Sequence, residues 1–253
     1  MTATNALTPG RRRARSRNDS PNADSITRPI ALLLAIAIGL PLLYGGACLL
    51  LAGIASYQAQ AFLQDWEKKG QEPDARVWQV ARDAAQLAID RYPVANGAYL
   101  HRLGLIEQWK QFRQPFGVAE AEGSRRAALQ AFRAATEARP NWPEHWSALA
   151  HAKLYLLEFD GEFHNALRKA HELGPWRIEI NRRLAEIGYL AWPQLNEAER
   201  DSIRLAAQRT VAYNQREAQK LLSIAEYAGM IEDLCGSLTP ELRTIRKICT
   251  LQK

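Results

Sequence analysis

The sequence lacks the short motifs by which many soluble enzymes are recognised. It has no glycine-rich phosphate-binding loop, no nucleophile elbow and no Cys-x2-Cys metal spacing. Runs of Val, Ile and Thr are few, and no useful length of chain alternates with period two, which argues against a β-sheet. These absences predict an all-α, non-catalytic protein that uses neither a metal ion nor a cofactor.

Charged residues of either sign are missing between Pro29 and Gln64. The apolar part of this run, residues 30–56, exceeds the roughly 20 residues that a helix needs to cross a bilayer. We therefore predict a transmembrane helix at 30–56 between an N-terminal tail, 1–29, and a juxtamembrane linker, 57–73.

The charge balance before the run differs from the balance after it. Residues 1–29 contain six arginines and two acidic residues, whereas the first four charged residues after the run cancel one another. Positive charge resists translocation, so we expect a cytoplasmic N-terminus and a periplasmic C-terminal domain at a bacterial inner membrane. The tail is rich in Ser, Asn, Thr and Pro, and we expect it to be disordered and to contact membrane lipid, not nucleic acid.

A cleaved signal peptide is the alternative interpretation of the same run. Ala59-Gln60-Ala61 has the small-x-small form that signal peptidase recognises. The apolar core of a signal peptide is about 7–15 residues, and this run is nearly twice as long. Its length favours an uncleaved anchor, and the alternative stays open.

A repeated spacing occurs before three prolines, and a second pattern follows each of them. The first pattern is Ala81-x3-Ala85-x2-Ala88-x4-Pro93, Ala128-x3-Phe132-x2-Ala135-x4-Pro140 and Phe163-x3-Leu167-x2-Ala170-x4-Pro175. The second is Leu100-x2-Leu103-Gly104, Trp146-x2-Leu149-Ala150 and Asn181-x2-Leu184-Ala185. Their alternation resembles the tetratricopeptide repeat (TPR), in which helix pairs stack to bury apolar stripes. We predict a TPR-like α-solenoid at 74–213, stacked with a right-handed twist, with Ala128 and Ala135 buried at helix crossings and with capping helices at 214–253.

A narrower resemblance depends on tryptophans that are unusual in a generic repeat. The residues are Leu103-Gly104-Leu105-Ile106-Glu107-Gln108-Trp109, Arg139-Pro140-Asn141-Trp142-Pro143-Glu144-His145-Trp146 and Leu173-Gly174-Pro175-Trp176. They resemble the VpsP-type proteins of bacterial exopolysaccharide biosynthesis loci, over about residues 30–210. The resemblance implies a small single-span protein in polysaccharide production and implies no catalytic residues. Its partners would be inner-membrane or periplasmic proteins of the biosynthesis and export pathway.

One face of the first-type helices has a row of large side chains. Trp109, Tyr155 and Leu190 lie five residues after the small position, with Tyr189 adjacent, where such repeats tend to form a concave face. The predicted binding residues on this face are His101, Trp109, Glu144, His151, Tyr155, Arg182, Glu186 and Tyr189. The alternative is that the rings are core residues between neighbouring helices. We expect Trp142, Trp146 and Trp176 to pack in the core and at corners.

Two cysteines, Cys235 and Cys249, lie 14 residues apart near the C-terminus. In an oxidising periplasm they would form a disulfide, which contributes roughly 3 kcal/mol for a loop of this length on the chain-entropy model. Two buried free thiols are the alternative.

Three functions are compatible with these features. The favoured one is a membrane-anchored scaffold that assists exopolysaccharide biosynthesis or export through protein–protein contacts. The second is a periplasmic carbohydrate-binding module that holds the nascent polymer on the aromatic row, and the third is an enzyme built on a helical solenoid.

Overall fold

The computed structural model of the chain describes the backbone of residues 23–249 and the side chains of residues 28–249. Within that range every regular element is helical, as the sequence predicts. The helices are α1 (Ala23–Lys69), α2 (Ala75–Arg91), α3 (Gly97–Trp109), α4 (Glu122–Ala138), α5 (Pro143–Leu156), α6 (Gly161–Leu173), α7 (Ile178–Leu190), α8 (Glu197–Tyr213), α9 (Gln215–Ala228), α10 (Ile231–Ser237) and α11 (Pro240–Arg246), with 3-10 turns at Ala119–Ala121 and Trp192–Gln194.

The chain divides into two compact units, Met1–Gly46 and Ala47–Lys253. The described part of the first unit is the N-terminal portion of α1, whose apolar side chains are exposed. The stretch Arg28–Lys69 is long and apolar enough to cross a membrane, and an 18-residue window within it has a mean hydropathy of 2.2, although a signal sequence has the same properties. Most of the predicted tail, residues 1–22, lies outside the described residues, and α1 begins at Ala23.

In the second unit, α1 continues through the segment expected to be a linker. Ala59, Leu63 and Trp66 are buried on one stripe of the helix, at the spacing of an amphipathic face. They pack against α2 and α3, where the main contacts are Trp78 and Ile106. Residues 57–69 are therefore part of the folded domain.

Consecutive helices form pairs, and the pairs are neighbours in chain order. The most extensive contacts join α3 to α4, α5 to α6 and α7 to α8. The first helices of the pairs also contact one another, because α3 meets α5, α5 meets α7, and α7 meets α9. Helix α8 contacts α9, α10 and α11, so the C-terminal helices cover the last pair.

Small residues lie where the paired helices cross. Ala128 and Ala135 of α4 are fully buried, which confirms the prediction for both. A Cβ atom at Gly104 of α3 would lie 2.5 Å from the ring of Phe132 in α4. At Gly188 of α7 it would lie 2.5 Å from two side-chain carbons of Ile203 in α8. The crossings are therefore too close for any larger side chain.

A buried lysine joins α4, α5 and α6. The side chain of Lys153 is 0% exposed, and its Nζ donates to Asp160 at 2.8 Å and to Glu162 at 2.7 Å. Arg133 donates to both carboxylate oxygens of Glu162, at 2.7 and 2.6 Å. Burial by itself disfavours the charged lysine, but the hydrogen bonds to Asp160 and Glu162 raise the pKa of Lys153. The hydrogen bonds from Arg133 lower the pKa of Glu162, so both charges persist at neutral pH.

The expectation of core packing is wrong for Trp176. Its side chain is 81% exposed in the turn between α6 and α7, and Arg209 lies 4.3 Å from its ring centre. Trp142 and Trp146 are partly buried, as residues at corners are. Trp176 is therefore a surface residue of this turn, covered only in part by the side chain of Arg209 from α8.

A disulfide bond joins the C-terminal helices. Cys235 of α10 and Cys249, just after α11, form a disulfide with Cα atoms 5.6 Å apart. Leu234, Leu238 and Ile248 bury their side chains in the main core beside it.

We expect Gly188→Ala to destabilise the protein, since the added methyl group would collide with Ile203. Ile203 is buried and β-branched, so it has little freedom to move. Overpacking of this kind costs about 1–3 kcal/mol, which urea unfolding of the full-length protein in detergent would measure.

Gly123→Ala in α4 is the matched control, because a Cβ there meets nothing within 4 Å. It should leave stability unchanged or raise it slightly through helix propensity. Equal stability of the two variants would contradict the close crossing of α7 and α8.

Candidate functional site

The first helices of the pairs line a groove with two neighbouring cavities. Cavity A, of about 200 Å³, is lined by Gln108 and Trp109 of α3, His151 and Tyr155 of α5, Arg125 of α4 and Arg183 of α7. Cavity B, of about 580 Å³, shares Phe112 and Tyr155 with cavity A and continues past Glu186, Leu190 and Tyr227.

Aromatic rings form the walls of cavity A. Trp109 packs on Trp66 of α1, with ring centres 6.2 Å apart, and on Phe112, at 4.5 Å. Tyr155 meets the edge of Phe116, with ring centres 4.9 Å apart. These contacts fix the rings on neighbouring helices, so the cavity has a rigid apolar surface.

Two guanidinium groups reach cavity A without a direct bond to any carboxylate of the described residues, although Glu186 and Glu67 act on Arg183 from a greater distance. Arg125 donates to the backbone carbonyls of Tyr155, at 3.1 Å, and Gln114, at 2.7 Å. Its Nε is buried and has no partner in the part of the chain that the structure describes. Arg183 makes no hydrogen bond and no ion pair within the described part of the chain. Burial lowers the pKa of both arginines, which reflects the cost of removing their charges from water.

Cavity A also has two neutral polar side chains, Gln108 and His151. Nε2 of Gln108 is buried and donates to nothing among the described residues. Burial, assisted by the charge of Arg183, lowers the pKa of His151 to about 3, so the imidazole is neutral at neutral pH. Glu67 of α1 is the carboxylate at the rim, and its side chain is exposed. The cavity therefore offers donors and net positive charge to a bound group.

The structure brings together only part of the predicted binding set. Trp109, His151 and Tyr155 line cavity A, and Glu186 lines cavity B. Burial raises the pKa of Glu186, while Arg183 opposes that shift.

Three other residues of the predicted binding set make contacts outside the two cavities. His101 packs against the rings of Phe132 and His145, with centres 5.2 and 4.9 Å away. Glu144 pairs with Arg177 at 2.6 Å, and Arg182 pairs with Glu217 at 3.4 Å. None of the three lines cavity A or cavity B.

Tyr189 is a correction to the predicted surface. Its side chain is 2% exposed and belongs to the main core, where its hydroxyl has no partner among the described residues. Burial also raises its pKa. Its neighbour Leu190 faces cavity B instead. For Tyr189, the alternative of core packing is the correct one.

Sequence reasoning missed Arg183, Arg125 and Gln108. A signal for Arg183 existed, because Arg183, Glu186 and Leu190 follow the i, i+3, i+7 spacing of one helix face. We had placed Arg182, Glu186 and Tyr189 on that face. A helix turns about 100° per residue, so the face centred on Arg182 and Tyr189 points in a different direction from the face centred on Arg183 and Leu190.

A third cavity, of about 490 Å³, lies between α6 and α8 on another surface of the domain. Most of its polar side chains satisfy one another. His164 Nδ1 lies 2.8 Å from Glu199, and Arg168 donates to Glu172 at 2.8 Å. It is therefore a weaker candidate than cavity A.

No protein-family model matches this chain, and comparison with curated proteins yields no match. Function is inferred from the geometry of the groove and from the residues that line it.

We expect stability to fall as the pH drops from 6.5 towards 4, partly because of His145. This side chain is 1% exposed, and neither ring nitrogen has a hydrogen-bond partner among the described residues. Burial, with a smaller effect of Arg139, lowers its pKa to about 4. The unfolded chain then binds more protons than the folded one below pH 6.5, so the stability present above that pH is lost on acidification.

The non-titrating variant His145→Leu should lose about 2 kcal/mol less than the parent protein between pH 7.5 and 4.5. Urea unfolding at the two pH values gives the difference. Parallel losses in both proteins would show that His145 titrates normally in the folded state.

Proposed function

We propose that this protein is a non-catalytic scaffold, anchored in a bacterial inner membrane, that assists exopolysaccharide biosynthesis or export through protein–protein contacts. The observation that supports this most directly is the groove of cavities A and B. It runs along α3, α5, α7 and α9 in a domain that continues directly from a helix apolar enough to cross a membrane.

The domain in this proposal is a TPR-like solenoid. Support comes from the three successive helix pairs, from the contacts between their first helices, and from small residues at equivalent crossings. A stack of this kind presents the first helices along one concave surface, which suits a protein partner. The partners would be polymerising or exporting proteins of the same pathway, a role for which the VpsP-type motifs are the support.

The anchor is proposed to remain uncleaved, with the N-terminus in the cytoplasm. Cleavage after Ala61 would remove Ala52, Ala55 and Ala59, which are buried, from the folded domain. It would also remove Ser56 and Gln60, both of which accept hydrogen bonds from Arg102 of α3. A dispensable signal peptide has no reason to contribute to a domain core.

A periplasmic carbohydrate-binding module that holds the nascent polymer is the second candidate. The observation that favours it is the chemistry of cavity A, where fixed aromatic rings lie beside donors that have no acceptor.

If the groove binds a protein partner, Tyr227→Ala should reduce recovery of pathway proteins by affinity purification. Tyr227 is 79% exposed and lines cavity B, and aromatic anchors at interfaces often contribute about 2 kcal/mol or more, roughly 30-fold in affinity.

The matched control is Tyr213→Ala, at the end of α8, where the ring is 60% exposed outside both cavities. Its recovery of pathway proteins should equal that of the parent protein. Equal recovery with Tyr227→Ala as well would remove the groove from the partner interface.

A periplasmic location predicts that the bond between Cys235 and Cys249 forms in cells, because that compartment is oxidising. Protein alkylated in denaturant without reduction should be labelled at Cys48, the free cysteine of the described range, and at neither of the other two. Mass spectrometry after reduction should then reveal both. Labelling of all three before reduction would place the domain in a reducing compartment.

A further inference from the structure

We propose that cavity A binds a carboxylate group of an acidic sugar, such as a uronate residue within a polysaccharide. This inference rests on the second candidate function, carbohydrate binding, and is independent of the scaffold role.

The charge of Arg183 identifies the class of ligand. A guanidinium that is partly removed from water is normally paired with a carboxylate or bonded to several acceptors. Arg183 has neither within the described residues, whereas its neighbour Arg182 is paired with Glu217. Since the planar guanidinium matches a carboxylate through two parallel hydrogen bonds, an anionic group of that shape would supply the missing partner.

The unpaired donors of cavity A indicate that the ligand has further oxygen acceptors in addition to its negative charge. Nε2 of Gln108 and Nε of Arg125 are buried without acceptors. A buried donor that is left unpaired destabilises the free protein, so each favours a ligand oxygen within reach. A uronate provides a carboxylate together with ring and hydroxyl oxygens, and therefore fits a set of donors better than a simple anion does.

The walls of cavity A explain the preference for a sugar. Trp109 and Tyr155 both line the cavity with rings held by Phe112 and Phe116, and the C–H face of a pyranose can pack against such a ring. A volume of about 200 Å³ is smaller than the usual site for a drug-sized ligand, so it suits one compact residue. Cavity B, at about 580 Å³, then gives room for the neighbouring residues of the polymer.

The test is calorimetric titration of the full-length protein in detergent with a galacturonate tetramer. The fully methyl-esterified tetramer is the comparison ligand, because it keeps the rings and loses the charges. We expect the acid to bind at least ten-fold more tightly than the ester, and its affinity to fall as salt rises.

Neighbouring residues provide matched variants. Arg183→Gln should weaken binding of the acid at least ten-fold, whereas Arg182→Gln, which removes the same charge outside the cavity, should change it less than two-fold. Glu67→Gln removes the carboxylate at the rim and should tighten binding, a gain that an unfolded protein would not give.

Each alternative outcome has a distinct meaning. Equal binding of acid and ester would overturn the acidic-sugar inference and leave carbohydrate binding standing. If neither the acid nor the ester binds, both the acidic-sugar inference and the carbohydrate-binding function are overturned, and the scaffold function is unaffected. If Arg182→Gln and Arg183→Gln weaken binding of the acid equally, the affinity depends on the overall charge of the domain and not on Arg183. That result would overturn the proposed site. Binding of a peptide C-terminus through Arg183, without binding of the tetramer, would identify a different occupant and overturn the proposal.

Discussion

The close approach of paired helices is the constraint on which the rest of this structure depends. Alanine and glycine at the crossings let Phe132 rest on Gly104 and Ile203 rest on Gly188, with no space for even one more methyl group. Because each pair is so compact, the first helices of successive pairs can also touch. Their side chains then meet across helices, which is how Trp109 and Tyr155 come to share one cavity.

Two cationic side chains of this domain, Lys153 and Arg183, differ in whether a carboxylate balances their charge. Lys153 is enclosed by three carboxylates, so its charge is balanced and it ties α5 to α6. Arg183 lies on the groove with no direct partner in the described chain, and its burial works against its charge. The first arrangement serves stability alone. The second leaves an electrostatic cost that a bound anion would relieve, and unrelieved costs of this kind are concentrated at functional sites.

The continuity of α1 links the apolar N-terminal segment to the folded domain. Its last turns bury Leu63 and Trp66 in the same cluster as Trp78 of α2, and Trp66 also packs on Trp109, a wall of cavity A. Part of the groove therefore depends on residues that belong to the helix of the proposed anchor. A flexible tether would not have this consequence, because it would leave Trp109 without its support.

The sequence by itself determined the helical class, the apolar N-terminal segment, the pairing of helices and the burial of Ala128 and Ala135. All of these follow from local periodicity, in which a stripe of apolar or small residues must be covered by a neighbour. It also placed Trp109, His151 and Tyr155 on one surface, since Trp109 and Tyr155 are equivalent positions in successive pairs and His151 lies one helical turn before Tyr155.

Only the tertiary structure decided which face of α7 joins the groove and which charges remain unpaired. Arg182 and Arg183 are adjacent and chemically identical, yet Arg182 is neutralised by Glu217, 35 residues away, and Arg183 is not. In the same way Tyr189 turns into the core while Leu190 lines cavity B. A shift of one residue rotates a side chain by about 100°, and the correct phase is set by the helices that pack around α7, not by the residues within it.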